Sequence, residues 1–176
     1  MCIRDRYSDK TVIGRWLRSK STIIKINNIL FTHGGISEDF ISFGDFNIEQ
    51  INSTMIDSIP QSREEINKTD FHSIHYGARG LVWYRGYFKK YNPDITHSYI
   101  RKILRLVDAN HIVVGHTTQE QIVNLFSNKI FGVDSGLKYG KYGEVLIIRN
   151  KGFFRKAKFF RGTLSGELNE LKPVKQ

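Results

Sequence analysis

The chain is 176 residues long, 40% hydrophobic and 12% aromatic, with 27 Lys and Arg against 17 Asp and Glu for a net charge of +10. That length and apolar content suffice for a globular domain with a core, and no apolar run is long enough to cross a membrane as a helix. The basic balance attracts polyanions, whether phosphorylated substrates, nucleic acid or acidic membrane, and the single cysteine rules out a disulfide framework or a zinc-thiolate cluster.

Met1-Cys2-Ile3-Arg4-Asp5-Arg6 reads as the in-frame translation of a sequencing-library transposon end, so residues 1–6 are set aside as an adapter scar. Without them the net charge is +9, because Arg4 and Arg6 leave together with Asp5, and the only cysteine is gone. The natural N-terminus is then expected to lie upstream, which leaves the compartment undetermined.

Residues 22–27 alternate loosely and end in Asn27-Asn28, a turn dipeptide, so a hairpin with the following apolar run Ile29-Leu30-Phe31-Thr32 is expected. That run ends in His33-Gly34-Gly35. The glycines permit a sharp turn and a close approach of a metal or anion, and they place His33 at the mouth of a strand. Ser37-Glu38-Asp39 then has the signature of a helix start, with Ser37 as N-cap.

Ile48, Ile51, Met55 and Ile59 fall at helical spacing before Pro60 and predict a core-facing helix over 48–59. Residues 61–71 are polar and predict a surface excursion, with a short helix at 63–67. His72 and His75 are three apart, but Gly77 and Gly80 point to a loop and to no metal role. Arg85 in Trp83-Tyr84-Arg85 is a candidate phosphate clamp, since a guanidinium grips two oxygens at once and the flanking aromatic pair can hold its stem. Residues 96–107 predict an amphipathic helix with Ile100, Ile103, Leu104 and Val107 on one face.

His111-Ile112-Val113-Val114-Gly115-His116-Thr117 repeats the earlier grammar, a β-branched run that ends in Gly-His. A single histidine among six is more often structural than a ligand. Two buried strands that each deliver one at a loop-bearing end make His33 and His116 candidate metal ligands. Beyond them, residues 119–126 are apolar at intervals, Ser127-Asn128-Lys129 is a turn, and residues 130–134 predict a strand leading into a glycine- and tyrosine-rich loop at 134–143. Residues 144–149 and 153–160 predict a closing hairpin around Asn150-Lys151-Gly152, and 161–176 a polar, frayed tail.

Several of these stretches resemble one family. His33-Gly34-Gly35-Ile36 is similar to the HGG element of calcineurin-like metallophosphoesterases, and Gly115-His116-Thr117 to their GHT element. Residues 80–86 resemble the segment that brings an arginine toward substrate in phosphoprotein phosphatases. Residues 11–25, with Gly14-Arg15-Trp16-Leu17-Arg18, resemble the lead-in of bacterial members, above all the Shewanella-like protein phosphatases. The likeness runs from Ser8 to about residue 150, with its motifs in the family's order.

The resemblance implies an α/β fold, part of a metallophosphoesterase β-sandwich flanked by helices, with residues 7–160 forming the C-terminal part of a longer domain. It implies two divalent ions, Mn, Fe or Zn, with His33 and His116 completing the same one, Arg85 and Tyr139 on the substrate phosphate, and hydrolysis of phosphomonoesters by a metal-bridging hydroxide. The substrate would be a phosphorylated protein, at Ser/Thr or Tyr. The bridging Asp, the other ligands and the general-acid His belong to GDxHG, GDxxDRG and GNHE elements, and none of these occurs in the 176 residues. An inactive fragment is therefore expected, and the basic charge would reflect either attraction for polyanions or an uneven split between two parts of a domain. The alternatives are a diadenosine-tetraphosphatase-like hydrolase, or a non-catalytic binder of polyanions or nucleic acid. Dispersed basic residues and the lack of any nucleic-acid motif weigh against the binder.

Overall fold

A computed structural model describes residues 7–44, 46–59, 63–66, 70–140, 142–149 and 157–172. Its centre is a five-stranded mixed sheet. Strands β1 (Ile23–Ile26) and β2 (Ile29–Thr32) form the expected hairpin, with Asn27 and Asn28 at φ 49° and 61° in its two-residue turn. Strands β3 (His111–Val114) and β5 (Ile130–Gly132) extend the sheet parallel to β2, and β4 (Val123–Leu125) closes it antiparallel to β5, in the order β1-β2-β3-β5-β4.

Alternation along the strands makes two cores. Leu30, Ile112, Val114 and Ile130 face one way, into a core shared with the helices, whereas Ile29, Val113 and Phe131 face the other. The helical layer comprises α1 (Val12–Arg18), α2 (Glu38–Ser42), α3 (Ile48–Ser58), α4 (Arg63–Ile66), α5 (Asp70–Tyr76) and α6 (His97–Leu106). Capping side chains set the starts of four of these: Thr11, Ser37, Asn47 and Thr96 each accept a hydrogen bond from a backbone N–H three residues on. Helix α6 buries Ile100, Ile103 and Leu104, as its periodicity predicts. Helix α3 is tied to β1 by Asn52, whose Oδ1 accepts from the Thr22 and Ile23 amides while its Nδ2 donates to the Ile23 carbonyl.

On the opposite face lies a second, three-stranded antiparallel sheet of β6 (Glu144–Arg149), β7 (Lys158–Thr163) and β8 (Leu168–Glu170). Phe159 joins the sheets by stacking on Phe131 with ring centroids 4.2 Å apart. The layers run helices, mixed sheet, small sheet. No helix among the described residues is long and apolar enough to cross a membrane.

Four expectations are corrected. Ile59 is not core but caps α3 at its C-terminus, 44% exposed. Residues 70–76 are helical rather than a loop, with Gly77 just past the helix, and His75 is buried edge-on against Phe40. The closing hairpin exists, but its second strand runs on to Thr163; residues 150–156 of the predicted hairpin and the scar at 1–6 lie outside the described residues. Residues 161–172 are not a frayed tail. They finish β7, turn at Gly166 and return as β8, where the Leu171 amide donates to the Phe159 carbonyl.

Candidate functional site

Parallel β2, β3 and β5 all deliver their carboxyl ends to one edge of the sheet, where loops gather and ligands of such sheets bind. The register pairs Thr32 with Val114, so the residues that follow are neighbours, and the Gly115 amide donates to the His33 carbonyl at 2.8 Å. His33 Nε2 thereby lies 3.1 Å from His116 Nδ1, with ring centroids 4.9 Å apart. The two histidines meet on one side of the fold although 83 residues separate them in the chain.

His116 is held in an uncommon conformation. Its φ of 59° is left-handed, which for a residue with a Cβ needs support from its surroundings. Arg85 provides it, donating from Nη1 to the His116 carbonyl at 3.1 Å and to Thr117 Oγ1 at 3.4 Å. Trp83 packs edge-on against the imidazole at 5.1 Å. Burial lowers the His116 pKa, and the Arg85 and His33 charges push it the same way while Asp134 opposes them. A neutral imidazole is the form that binds a cation.

The donor geometry can be tested against a divalent ion. Two bonds of about 2.0–2.1 Å from nitrogens this far apart would meet at roughly 100°, between octahedral and tetrahedral values. The same spacing also fits a single shared proton. His116 Nε2 is buried and has no hydrogen-bond partner, so this ring is not committed elsewhere in the polar network. The pair fits two positions of one cation. Among the described residues no group of three His, Cys, Asp or Glu could hold a metal by itself.

Gly34 and Gly35 perform a different task from the one expected. What comes close to them is protein: a Cβ on Gly34 would lie 2.8 Å from the Leu81 and Val82 carbonyl oxygens, and one on Gly35, at φ 146°, would meet the Tyr84 and Tyr87 rings. The Gly34 amide donates to the Leu81 carbonyl, and Tyr87 Oη both accepts from the Ile36 amide and donates to the Ile36 carbonyl. The histidine loop is thus fastened to residues 81–87, the segment that carries Arg85.

Arg85 is half-buried beside His116. The aromatic that supports it is Tyr91, whose ring lies 5.3 Å from the guanidinium. The sequence neighbours serve otherwise: Trp83 contacts His116, and Tyr84 turns into the core against Tyr87. A cavity of about 900 Å³ opens at Arg85, walled by Arg79, Trp83, Tyr84, Tyr91 and Tyr99. Tyr139 is 66% exposed on a 3-10 turn at Leu137–Tyr139, and no contact places it against the histidines or Arg85. Its neighbour Lys138, also exposed, donates to Thr118 Oγ1.

Asp134 is the residue that sequence reasoning missed. It follows β5 at the same edge, accepting from Thr118 Oγ1 at 2.8 Å and from the Gly136 amide at 3.0 Å. Those bonds, with the Lys138 and His33 charges, hold its carboxyl below the usual range against the opposing effect of burial. The signal was present: Ile130-Phe131-Gly132-Val133-Asp134 is a third apolar run ending in a residue able to take part in a site.

No protein-family model matches the chain. Over 127 residues it is 29% identical to the Shewanella-like protein phosphatase 1 of Plasmodium berghei (strain Anka), an alignment that covers 69% of this chain and 34% of that protein. Its fold matches the cold-active protein-tyrosine phosphatase of a psychrophile Shewanella sp. with a TM-score of 0.88 at 37% identity, over 97% of this chain and 49% of that one. Another structure of a cold-active protein tyrosine phosphatase gives 0.88 and 37%, over 98% and 48%. The chain has the α/β fold of about half of such a phosphatase. It spans about half the length of these solved relatives and a third of the curated one.

Proposed function

We propose that the chain is part of a metal-dependent phosphatase of the calcineurin-like kind, acting on phosphomonoesters of proteins, and that His33 and His116 hold one divalent cation of its centre. The observation that carries this is the convergence of His33 Nε2 and His116 Nδ1 at the carboxyl edge of the parallel strands, in a fold shared with phosphatases. A bound divalent pair would neutralise phosphate charge and make hydroxide available near neutral pH. The remaining work falls to the chain's own groups. Arg85 stands beside the imidazoles to grip phosphate oxygens, and its charge helps keep His116 neutral and ready to ligate. Lys138 adds positive charge at the opposite loop.

Two imidazoles with no third ligand placed to complete a metal site among the described residues bind such an ion weakly, so the bridging ligand and the general acid would come from polypeptide outside these 176 residues, and the chain alone would be inactive. Titration of the purified chain with Mn²⁺ and Zn²⁺ by calorimetry tests the first half. Weak binding abolished in both His33→Ala and His116→Ala supports it, and binding that survives both substitutions refutes it. Turnover of an aryl phosphate by the chain in Mn²⁺, lost in His116→Ala, would refute the inactivity.

A further inference from the structure

The cavity at Arg85 has a neighbour. Across Tyr91 lies a second groove, about 540 Å³ in volume, with Lys89 and Lys90 on one side and Thr117, Thr118 and Gln119 on the other. Tyr91 belongs to both cavities and lies between cations, with the Arg85 guanidinium 5.3 Å and the Lys90 ammonium 5.8 Å from its ring. Thr117, which accepts from Arg85, lines the second groove, and so does Thr118, to which Lys138 donates. A ligand anchored at Arg85 thus lies beside Tyr91, the residue shared with a groove whose cationic lining is Lys89 and Lys90. Glu120 is the one carboxylate among the described residues lining it. By contrast, the acids at the rim of the first cavity are already matched: Asp39 is paired with Arg79, and Glu38 with Lys102.

We propose that this second groove is a specificity subsite, which holds acidic residues flanking the phosphorylated residue of a polypeptide substrate. The inference rests on the phosphatase reading above and adds the sequence context of the substrate. A peptide is favoured over a nucleic acid because the groove offers threonine and glutamine side chains able to bond a peptide backbone, while Tyr91 is the one exposed aromatic among the residues lining it, which provides little for base stacking. Each exposed ion pair is worth roughly a threefold change in affinity, so two lysines give about tenfold, and the effect shrinks as salt screens it.

The test is anisotropy of two fluorescein-labelled phosphotyrosine peptides, one flanked by aspartates and one by alanines, titrated with the chain in Mn²⁺ at low salt. The expected result is about tenfold tighter binding of the acidic peptide, an advantage lost in Lys89→Gln/Lys90→Gln, whereas Arg85→Gln weakens both peptides alike. Equal affinities for the two peptides, or a preference that survives the double lysine substitution, overturns the subsite while leaving the Arg85 anchor standing. If neither peptide binds through its phosphate, the Arg85 anchor fails and the subsite with it, whereas the metal reading stands or falls separately on the calorimetric titration of His33→Ala and His116→Ala. A single-stranded oligonucleotide that binds with the same dependence on Lys89 and Lys90 would reassign the groove and overturn the peptide proposal.

Discussion

Replacing Gly34 by alanine puts a methyl group 2.8 Å from the Leu81 and Val82 carbonyl oxygens and 2.9 Å from the Tyr84 amide nitrogen. All three are backbone atoms, which cannot swing aside as a side-chain tip can. The histidine loop must therefore move away from residues 81–87, and the bond from the Gly34 amide to the Leu81 carbonyl weakens or breaks. Overpacking costs about 1–3 kcal/mol and the bond about 1 more, so a total loss of about 2–4 kcal/mol lowers Tm by roughly 5–15 °C in a chain of this length. Gly44→Ala is the control, since a Cβ there meets nothing within 4 Å and the expected change is within about 0.5 kcal/mol. Thermal unfolding followed by circular dichroism, with urea titration for the free energy, measures both. Equal stability of the two variants would show that the loop and the Arg85 segment are not in backbone contact.

The charges around His116 predict opposite shifts that NMR titration of its ring protons can read. Arg85→Gln should raise its pKa, since a repelling cation is removed, and Asp134→Asn should lower it further; movement in the same direction by both contradicts the site's electrostatics. Burial, reinforced by Lys129, depresses the His111 pKa below 6.5, so in the window beneath 6.5 the unfolded chain binds a proton that the folded chain refuses. His111 therefore contributes stability at neutral pH that is lost as pH falls through that window, and His111→Phe should flatten the dependence measured by urea unfolding between pH 7 and 5. Phe159→Ala should cost about 3–5 kcal/mol, because it empties the contact between the two sheets, and a cost below 1 kcal/mol would mean that the small sheet is not packed on the large one.

Local signals were legible in the sequence where short-range chemistry decides. Ser37 caps the helix it precedes, the apolar spacing over 96–107 gives α6, and Asn27-Asn28 supplies the left-handed pair that a tight hairpin requires. The histidine pair was legible because both strands carry the same pattern and the family resemblance fixes their order. What the sequence hid depends on contacts between distant segments. Tyr91 rather than Trp83 or Tyr84 supports Arg85, and nothing near Arg85 in sequence marks it. Asp134 escaped notice because a carboxylate after a strand reads as an ordinary loop residue until β5 is known to lie beside β3.

These long-range contacts also explain why a strained histidine can persist at the end of β3. Residue 116 in a left-handed conformation would relax if its carbonyl were free, yet the Arg85 guanidinium holds that carbonyl, and Arg85 in turn belongs to the segment fastened to Gly34. The chain that leaves β2 and the chain that leaves β3 are thus joined twice, directly through the Gly115 amide and the His33 carbonyl, and indirectly through residues 81–85. Such a closed loop of contacts fixes the separation of two imidazoles without relying on an ion between them. It follows that the histidines are preorganised: removing a cation should leave their spacing unchanged, whereas breaking the Arg85 link should loosen His116 first. Nuclear Overhauser contacts between the two rings, retained in chelator and weakened in Arg85→Gln, are the expected pattern; rings that separate in chelator would show that the metal, not the fold, brings them together.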